Sequence, residues 1–322
     1  MRANVQMPSP EDPTPEAEGP DPIRVAEGLT GGILAVVVVT LAFGTVRGLD
    51  LSGELLAHGG LGAAFLFGVA LLPLRAERLR SSAVVVVMFT LYFTLGQVAF
   101  EAVPYLADPW LESADRVLFG GTSPSLWLDQ QAAAGDLGRG AVELLSVGYA
   151  LFIPFLNLSL LAGLWGKAPG ARREMVVGFA CLYALSFLGY LFLPARGPVV
   201  LLTDAFQADL DGGTFHRLVV DSVDRSGGPH GAFPSLHFGA TLFLWGFDRR
   251  HDPTRAWIYA PLVPWIAAAT VVLRYHYVVD LLAAVVLATT ALWVGRRVVG
   301  RGVVSRGVVG RRVAVGATGR AS

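Results

Sequence analysis

The stretch GGPHGAFPSLHFGATLFLW, from Gly227 to Trp245, places a histidine-containing loop directly before an apolar segment. The second half has the composition of a membrane helix, yet Ser235 and His237 lie at the start of that helix. Ionisable residues are costly to place in a membrane and usually have a function. The stretch therefore predicts a functional site if other polar residues lie at the same membrane level.

The composition is that of an integral membrane protein. Of 322 residues, 53% are hydrophobic and only 16% are charged, whereas soluble domains carry about 25% charged residues. The formal net charge of zero gives no support for nucleic-acid binding, so no nucleic-acid partner is expected. The single cysteine, Cys181, excludes an intramolecular disulfide and a cysteine-based zinc site.

Eight segments are apolar enough to be read as membrane spans, since a spanning helix needs about 20 mostly apolar residues. They are residues 29–46, 57–74, 82–100, 141–165, 175–194, 234–247, 256–273 and 278–295. The second is rich in glycine and the sixth is short. Residues 104–138 mix aromatic residues with acids and are predicted to lie on the membrane interface. The sequence thus predicts an all-α, polytopic transmembrane helix bundle.

Two tails flank this bundle. Residues 1–28 alternate prolines with acidic residues, so they cannot bury apolar surface and are predicted to be disordered. Residues 296–322 repeat Arg, Val and Gly and are predicted to form a basic, low-complexity cytoplasmic tail near anionic headgroups.

Basic and acidic connections alternate along the chain. The connections after the second, fourth, sixth and eighth segments are basic, and the connections between them are richer in acids. Because cytoplasmic loops carry an excess of Lys and Arg, both termini are predicted to be cytoplasmic and the acidic loops extracytoplasmic. The expected location is the cell membrane, as a multi-pass protein.

Under this topology, three separate stretches meet at the extracytoplasmic surface: LPARGP after the fifth segment, PSLH at the sixth, and RYHYVVD between the seventh and eighth. They contribute Arg196, Ser235, His237, Arg274, His276 and Asp280. Each residue alone has an ordinary explanation, such as a snorkelling arginine, a helix cap or a structural ion pair. Their coincidence at one surface favours a functional site.

The residue types point to a phosphate as the ligand. His276 and Asp280 are spaced i,i+4 and share one helical face, so the carboxylate can orient the imidazole. A helix that begins at Pro234 offers free backbone N–H groups to an anion, and arginine matches phosphate oxygens. Two histidines can divide attack on phosphorus from protonation of the departing oxygen. With these cations present, neither a metal nor another cofactor is expected.

The motifs PSLH and, about 40 residues later, HYVVD resemble the signature of the type 2 phosphatidic acid phosphatase superfamily. The PSLH spelling and the PARGP variant are most similar to the inositol phosphorylceramide synthase branch. The resemblance covers roughly residues 191–284 and implies a six-helix phosphatase-like core. Residues 29–295 are predicted to form one transmembrane catalytic domain, in which the first four segments are assigned from hydropathy alone.

The resemblance also implies a role for each matching residue. His276 would be the nucleophile that forms a phosphohistidine, Asp280 would orient it, and His237 would protonate the leaving group. Ser235 and Arg196 would bind the phosphate.

Two basic positions of the family pattern are missing. The lysine of the first motif would fall at Gly189, and the arginine of the third motif would fall at Thr270. Arg274, two residues before His276, is therefore predicted to replace the missing arginine as a phosphate-binding residue.

The predicted function is that of an integral membrane lipid phosphatase or phosphotransferase at the extracytoplasmic face. Its substrate would carry a phospholipid, polyprenyl phosphate or phosphoinositol headgroup. Water as acceptor would make it a phosphatase, and an alcohol would make it a phosphotransferase such as an inositolphosphotransferase. The alternative is a transporter that uses the His/Asp/Arg cluster as a proton or anion pathway, although transporters usually show internal repeats. The roles of Glu101, Glu143, Asn157 and His230 are left open, and His230 is expected to be a solvated loop residue.

Overall fold

The structure, a computed structural model, describes residues 20–135, 137–226 and 228–318. Every regular element in these ranges is a helix, which confirms the predicted all-α fold. The α-helices are α1 (Pro22–Val46), α2 (Ser52–Leu71), α3 (Glu77–Ala102), α4 (Asp108–Leu118), α5 (Pro124–Ala133), α6 (Arg139–Ala150), α7 (Phe152–Leu161), α8 (Pro169–Phe192), α9 (Pro198–Leu201), α10 (Thr214–Arg225), α11 (Leu236–His251), α12 (Pro253–Tyr259), α13 (Leu262–Val272) and α14 (Val278–Thr318). A π-helical turn, Ala162–Gly166, continues α7, and a 3-10 turn, Thr203–Ala205, follows α9.

Seven helical segments of the described chain are long and apolar enough to cross a membrane. They are Pro22–Val46, Ser52–Leu71, Glu77–Leu95, Arg139–Gly166, Pro169–Phe192, Pro253–Val272 and Val278–Gly300. The predicted segment 234–247 is instead the 16-residue helix α11. At 1.5 Å per residue, α11 is about 24 Å long, shorter than a hydrocarbon core of about 30 Å. It packs against α7, α8, α12, α13 and α14, so other helices surround much of it.

Helix α1 begins at Pro22, which corrects the predicted boundary of the N-terminal tail at residue 28. The Asp21 side chain accepts a hydrogen bond from the Ile23 N–H at 2.9 Å, and a proline in the first turn has no N–H to satisfy. Glu27 is buried and paired with Arg80 of α3 at 2.6 Å. A cap and a buried ion pair thus make residues 22–28 helical, and residues 1–19 lie outside the described residues.

Helix α14 continues past the predicted membrane boundary. Its backbone is helical to Thr318, so most of the predicted basic tail from Arg296 extends the last span. The Arg296 guanidinium lies 3.5 Å from the carboxylate of Glu174 on α8. The division into a membrane domain and two tails remains a prediction.

Helix α8 is the centre of the bundle and packs against α1, α3, α11 and α14. Small residues allow the close approach, as is common between membrane helices. A Cβ on Gly178 of α8 would lie 2.6 Å from the Phe243 ring of α11 and 3.0 Å from the Ala291 carbonyl of α14. The close packing of α8, α11 and α14 fixes the relative positions of the loops at their ends.

The two ends of this central group differ in chemistry. The start of α8 and the end of α11 lie among ion pairs, including Lys167 with Asp252 at 2.8 Å and His251 with Glu174 at 3.1 Å. The end of α8 and the start of α11 instead lead to the PARGP and PSLH stretches. The predicted site residues therefore collect at the end opposite this ionic network.

Candidate active site

The three predicted stretches meet around one cavity of about 350 Å³. Arg196, His237 and His276 line this cavity. Ser235 and Asp280 are buried next to the histidines, at the starts of α11 and α14. The structure thus brings five of the six predicted site residues together and leaves Arg274 apart from them.

The His276 imidazole is held by two acceptors on one ring nitrogen. Its Nδ1 lies 2.7 Å from the Ala232 carbonyl oxygen and 3.4 Å from the Asp280 Oδ2. The same Oδ2 accepts a hydrogen bond from the Tyr277 N–H at 2.8 Å. A proton on Nδ1 satisfies the Ala232 carbonyl, so Nε2 is left with a lone pair. Because His276 lines the cavity, this arrangement can present a nucleophilic nitrogen to a ligand.

His237 faces the same cavity from the first turn of α11. Its ring centroid lies 5.9 Å from that of His276, so one small group can contact both imidazoles. The rings of Tyr149 and Phe152 pack against His237, each at 4.6 Å between centroids. The aromatic contacts fix the position of His237 relative to the cavity.

Ser235 is the N-cap of α11. Its hydroxyl accepts a hydrogen bond from the Phe238 N–H at 3.4 Å, and the residue is almost fully buried. The capping role that the sequence allowed is therefore present. A phosphate-binding role for Ser235 remains a prediction.

Close packing explains why the first motif lacks its lysine. A Cβ on Gly189 would lie 2.4 Å from Cδ of Pro234 and 3.1 Å from the Phe233 carbonyl. No side chain fits there without displacing the start of the PSLH stretch. The glycine thus allows α8 to approach the loop before α11.

Asp108 of α4 joins two of the site loops. Its carboxylate accepts hydrogen bonds from the Arg196 N–H at 3.0 Å, the Gly197 N–H at 2.7 Å and the Tyr277 hydroxyl at 3.1 Å. Burial raises the pKa of Asp108, although these hydrogen bonds oppose the effect. Gly197 is needed at the junction because its φ is 91° and a Cβ would lie 2.3 Å from the Tyr275 carbonyl.

Asp115, two turns later on α4, caps helix α14. It accepts hydrogen bonds from the Val278 and Val279 N–H groups at 2.9 and 2.8 Å. Burial raises the pKa of this carboxyl as well. From the sequence, Asp108 and Asp115 were predicted only as charges of an outer loop, and these contacts were not predicted. The i,i+7 spacing of Asp108 and Asp115 on one helical face was the available signal.

Arg274 does not line the cavity, which argues against its predicted phosphate-binding role. Its guanidinium is 2.6 Å from Asp129 and 2.8 Å from the Ala208 carbonyl, and it lies over the Phe206 ring at 3.9 Å. Asp129 also accepts the Gln207 N–H at 2.8 Å. This buried carboxylate therefore holds the Arg274 side chain against the loop that follows α9.

Helix α10 forms one wall of the cavity and is capped by Glu143 of α6. The Glu143 carboxylate accepts hydrogen bonds from the Gly213, Phe215 and His216 N–H groups, at 2.7, 2.9 and 3.1 Å. Glu143, whose role the sequence left open, thus positions α10. Nothing in the sequence pattern indicated this contact.

His230 is a half-buried loop residue, as its sequence context predicted in part, and it also lines the cavity. Its Nδ1 lies 2.7 Å from the Gly228 carbonyl. Burial lowers the pKa of the His230 imidazole, and the positive charge of Arg196 lowers it further. Asn157 donates to the Ile153 carbonyl of its own helix at 2.9 Å, and the Glu101 side chain lies outside the described residues.

The lining continues onto the outer surface of the bundle. Phe93 of α3, Ile153 of α7 and Leu218 of α10 line the cavity and are 54%, 43% and 49% exposed. The cavity therefore connects a polar interior with an apolar side opening. Within the described ranges, no three His, Cys, Asp or Glu side chains cluster closely enough to hold a metal ion.

Comparison with known proteins identifies the family. The sequence model of the PAP2 superfamily matches residues 125–294, which is more than half of the chain. This chain is a member of the PAP2 superfamily, and its apolar helices make it a multi-pass membrane protein. The matched region contains both the PSLH and the HYVVD motifs.

A curated relative supports the same assignment. The chain is similar to a PA-phosphatase related-family protein of Dictyostelium discoideum, with 26% identity over 58% of this chain and 39% of the relative. The chain thus spans about two fifths of the length of that relative. No solved structure matches the chain significantly. The closer similarity to the inositol phosphorylceramide synthase branch remains a prediction.

Proposed function

We propose that this protein cleaves a lipid phosphate through a phosphohistidine intermediate on His276. The observation that carries the proposal is the pair of histidines on one cavity, with Nδ1 of His276 held by the Ala232 carbonyl at 2.7 Å. Membership of the PAP2 superfamily supports a phosphatase-like activity.

The reaction has two steps. Nε2 of His276 attacks phosphorus and a P–N bond forms while the P–O bond to the lipid breaks. His237, protonated beside the anionic phosphate, gives its proton to the departing lipid oxygen. Water or an alcohol then attacks phosphorus, His237 accepts its proton, and the P–N bond breaks. Arg196 would neutralise phosphate charge in both steps.

The side opening supports a lipid substrate. Phe93, Ile153 and Leu218 are exposed apolar residues at the cavity, so a hydrocarbon chain can remain in the bilayer while its phosphate enters the cavity. A phospholipid, a polyprenyl phosphate or a phosphoinositol headgroup fits this description. Transfer of the headgroup to an alcohol would make the protein an inositolphosphotransferase, and the acceptor has to be identified by experiment.

The proposed activity can be tested with the purified full chain in liposomes. We expect release of inorganic phosphate from phosphatidic acid or a polyprenyl phosphate, or headgroup transfer from phosphatidylinositol to a lipid alcohol. The reaction should continue in excess EDTA, because arginine and the start of α11 supply the positive charge. Complete loss in EDTA that magnesium restores would contradict the histidine mechanism.

We further propose that the cavity opens on the extracytoplasmic side of the cell membrane. Ala205, in the turn after α9, and Thr254, at the start of α12, are exposed and belong to opposite ends of the bundle. With Cys181 replaced by Ala, Ala205→Cys should react with a membrane-impermeant thiol reagent on intact cells, and Thr254→Cys should react only after lysis. The reverse pattern would place the site in the cytoplasm.

A further inference from the structure

We propose that Arg225, at the end of α10, is the second phosphate-binding arginine of this site. The inference rests on the proposed function and names a residue outside all three motifs. It starts from a deficit of positive charge in the cavity. Arg274 is held by Asp129 and does not line the cavity. Arg196 is then the one arginine that the motifs contribute to its lining.

Thr270 occupies the position at which the family pattern has an arginine, and its surroundings in the described part of the chain supply no positive charge in place of that arginine. Thr270 is fully buried, and its hydroxyl donates to the Ala267 carbonyl at 2.9 Å. The Thr270 carbonyl accepts the N–H groups of Tyr275 and His276, both at 3.0 Å. This part of the bundle supports the His276 loop and carries no charge.

Arg225 supplies a charge from the other wall of the cavity. It lines the same space as Arg196, His237 and His276. Its Nε donates to the Asp221 carbonyl at 3.1 Å, within its own helix. In the described ranges no carboxylate forms an ion pair with Arg225, in contrast to Arg274. Its terminal nitrogens can therefore serve an anionic ligand.

The wall that carries Arg225 is held in place from its other end. Glu143 accepts three N–H groups at the start of α10, and the His216 Nδ1 lies 3.2 Å from the Ser146 hydroxyl. Val219, in the middle of α10, is buried. Both anchors, Glu143 and Ser146, lie on α6, the helix that also carries Tyr149 beside His237. These contacts fix α10 relative to α6, and the exposed side chain of Arg225 lines the cavity from the end of this anchored helix.

The chemistry requires such a residue. A phosphate monoester has two negative charges near neutral pH, and charge-assisted bonds from two arginines can bind it from opposite sides. Arg225 would contact the phosphate oxygens that Arg196 leaves available. Arg225 and Leu218 both line the cavity from α10, so the helix that carries the charge also carries part of the apolar side opening.

The test compares Arg225→Gln and Arg225→Lys with Arg217→Gln, which removes a charge from the exposed side of the same helix. Arg217 does not line the cavity. Inhibition by inorganic phosphate and KM for the lipid phosphate are measured for each variant. We expect Arg225→Gln to raise the inhibition constant for inorganic phosphate and the KM for the lipid phosphate, each by about 10-fold or more. Hydrogen bonds to charged groups contribute about 1.5–3 kcal/mol. Arg225→Lys should recover part of the loss, and Arg217→Gln should resemble the wild type.

The outcomes separate this inference from the proposed function. Unchanged KM and phosphate inhibition in Arg225→Gln, with an active wild type, would overturn the role of Arg225 and leave the function standing. If the wild type cleaves no lipid phosphate, the proposed function fails. Binding of inorganic phosphate, measured by calorimetry on the same variants, still decides the inference: weaker binding in Arg225→Gln alone supports it. Equal binding in all variants, or none in the wild type, overturns it.

Discussion

Replacement of His276 by Ala is expected to abolish turnover of every phosphate ester, whereas replacement of His237 by Ala should leave a rate that depends on the leaving group. His276 would provide the atom that bonds to phosphorus, so its replacement removes the proposed intermediate. His237 would only protonate the departing oxygen. General acid catalysis contributes roughly 10²–10⁴-fold to a rate, and that is the loss expected for a lipid substrate.

An aryl phosphate distinguishes the two roles, because a phenolate departs without help from an acid. It should restore most of the rate of His237→Ala and none of the rate of His276→Ala. His58→Ala is a suitable control, since His58 is a buried histidine of α2 outside the site, hydrogen-bonded to Thr94 at 3.0 Å. Rescue of His276→Ala alone would exchange the two roles. Full activity in both variants would rule out the proposed histidine mechanism and favour the transporter alternative.

The second large effect is expected at Asp108, although it does not line the cavity. Asp108→Ala would leave the Arg196 and Gly197 N–H groups and the Tyr277 hydroxyl without their acceptor. An unsatisfied buried donor costs about 1–3 kcal/mol, so the variant should lose about 3 kcal/mol or more of unfolding free energy. Activity should fall with it, because Asp108 joins the Arg196 loop to the His276 loop.

Thermal unfolding in detergent and hydrolysis rates test this expectation. Asp108→Asn retains one acceptor oxygen and should be affected less than Asp108→Ala. Asp204→Ala, which removes an exposed acid of the 3-10 turn, should behave as the wild type. A stable and fully active Asp108→Ala would show that the two loops hold their positions without the carboxylate.

Hydropathy predicted the all-α fold, and the short motifs named five residues that the structure brings together, because both signals are local. The apolar segments are continuous runs, and the His276–Asp280 pair lies on one helical face at i,i+4 spacing. Helix α11 was harder to predict from hydropathy. It has only 16 residues, and the helices that surround it cannot be recognised from its own sequence.

The contacts that assemble the site were not predictable in the same way. Asp129 pairs with Arg274 across 145 positions of the chain, and Asp108 reaches the Tyr277 hydroxyl across 169. Hydropathy treats a carboxylate that binds backbone N–H groups like one that faces water. Arg274 was predicted to bind phosphate because its partner, Asp129, could not be recognised from the sequence. For the same reason, the sequence offered no sign that α10 brings Arg225 to the cavity.

The nearest acceptor for the His276 ring belongs to the main chain, and this affects how mutational data on the site should be interpreted. The Ala232 carbonyl is 2.7 Å from Nδ1, whereas Asp280 is 3.4 Å away. The carbonyl is present whatever side chain occupies position 232, so the hydrogen bond that favours this imidazole tautomer does not depend on a particular side chain there. Ala232 is 2% exposed, so a larger side chain at this position would disturb the loop by overpacking and not by removing the acceptor. The group that orients the His276 imidazole therefore belongs to the backbone, so a change in loop conformation would disturb it more than the loss of one side chain.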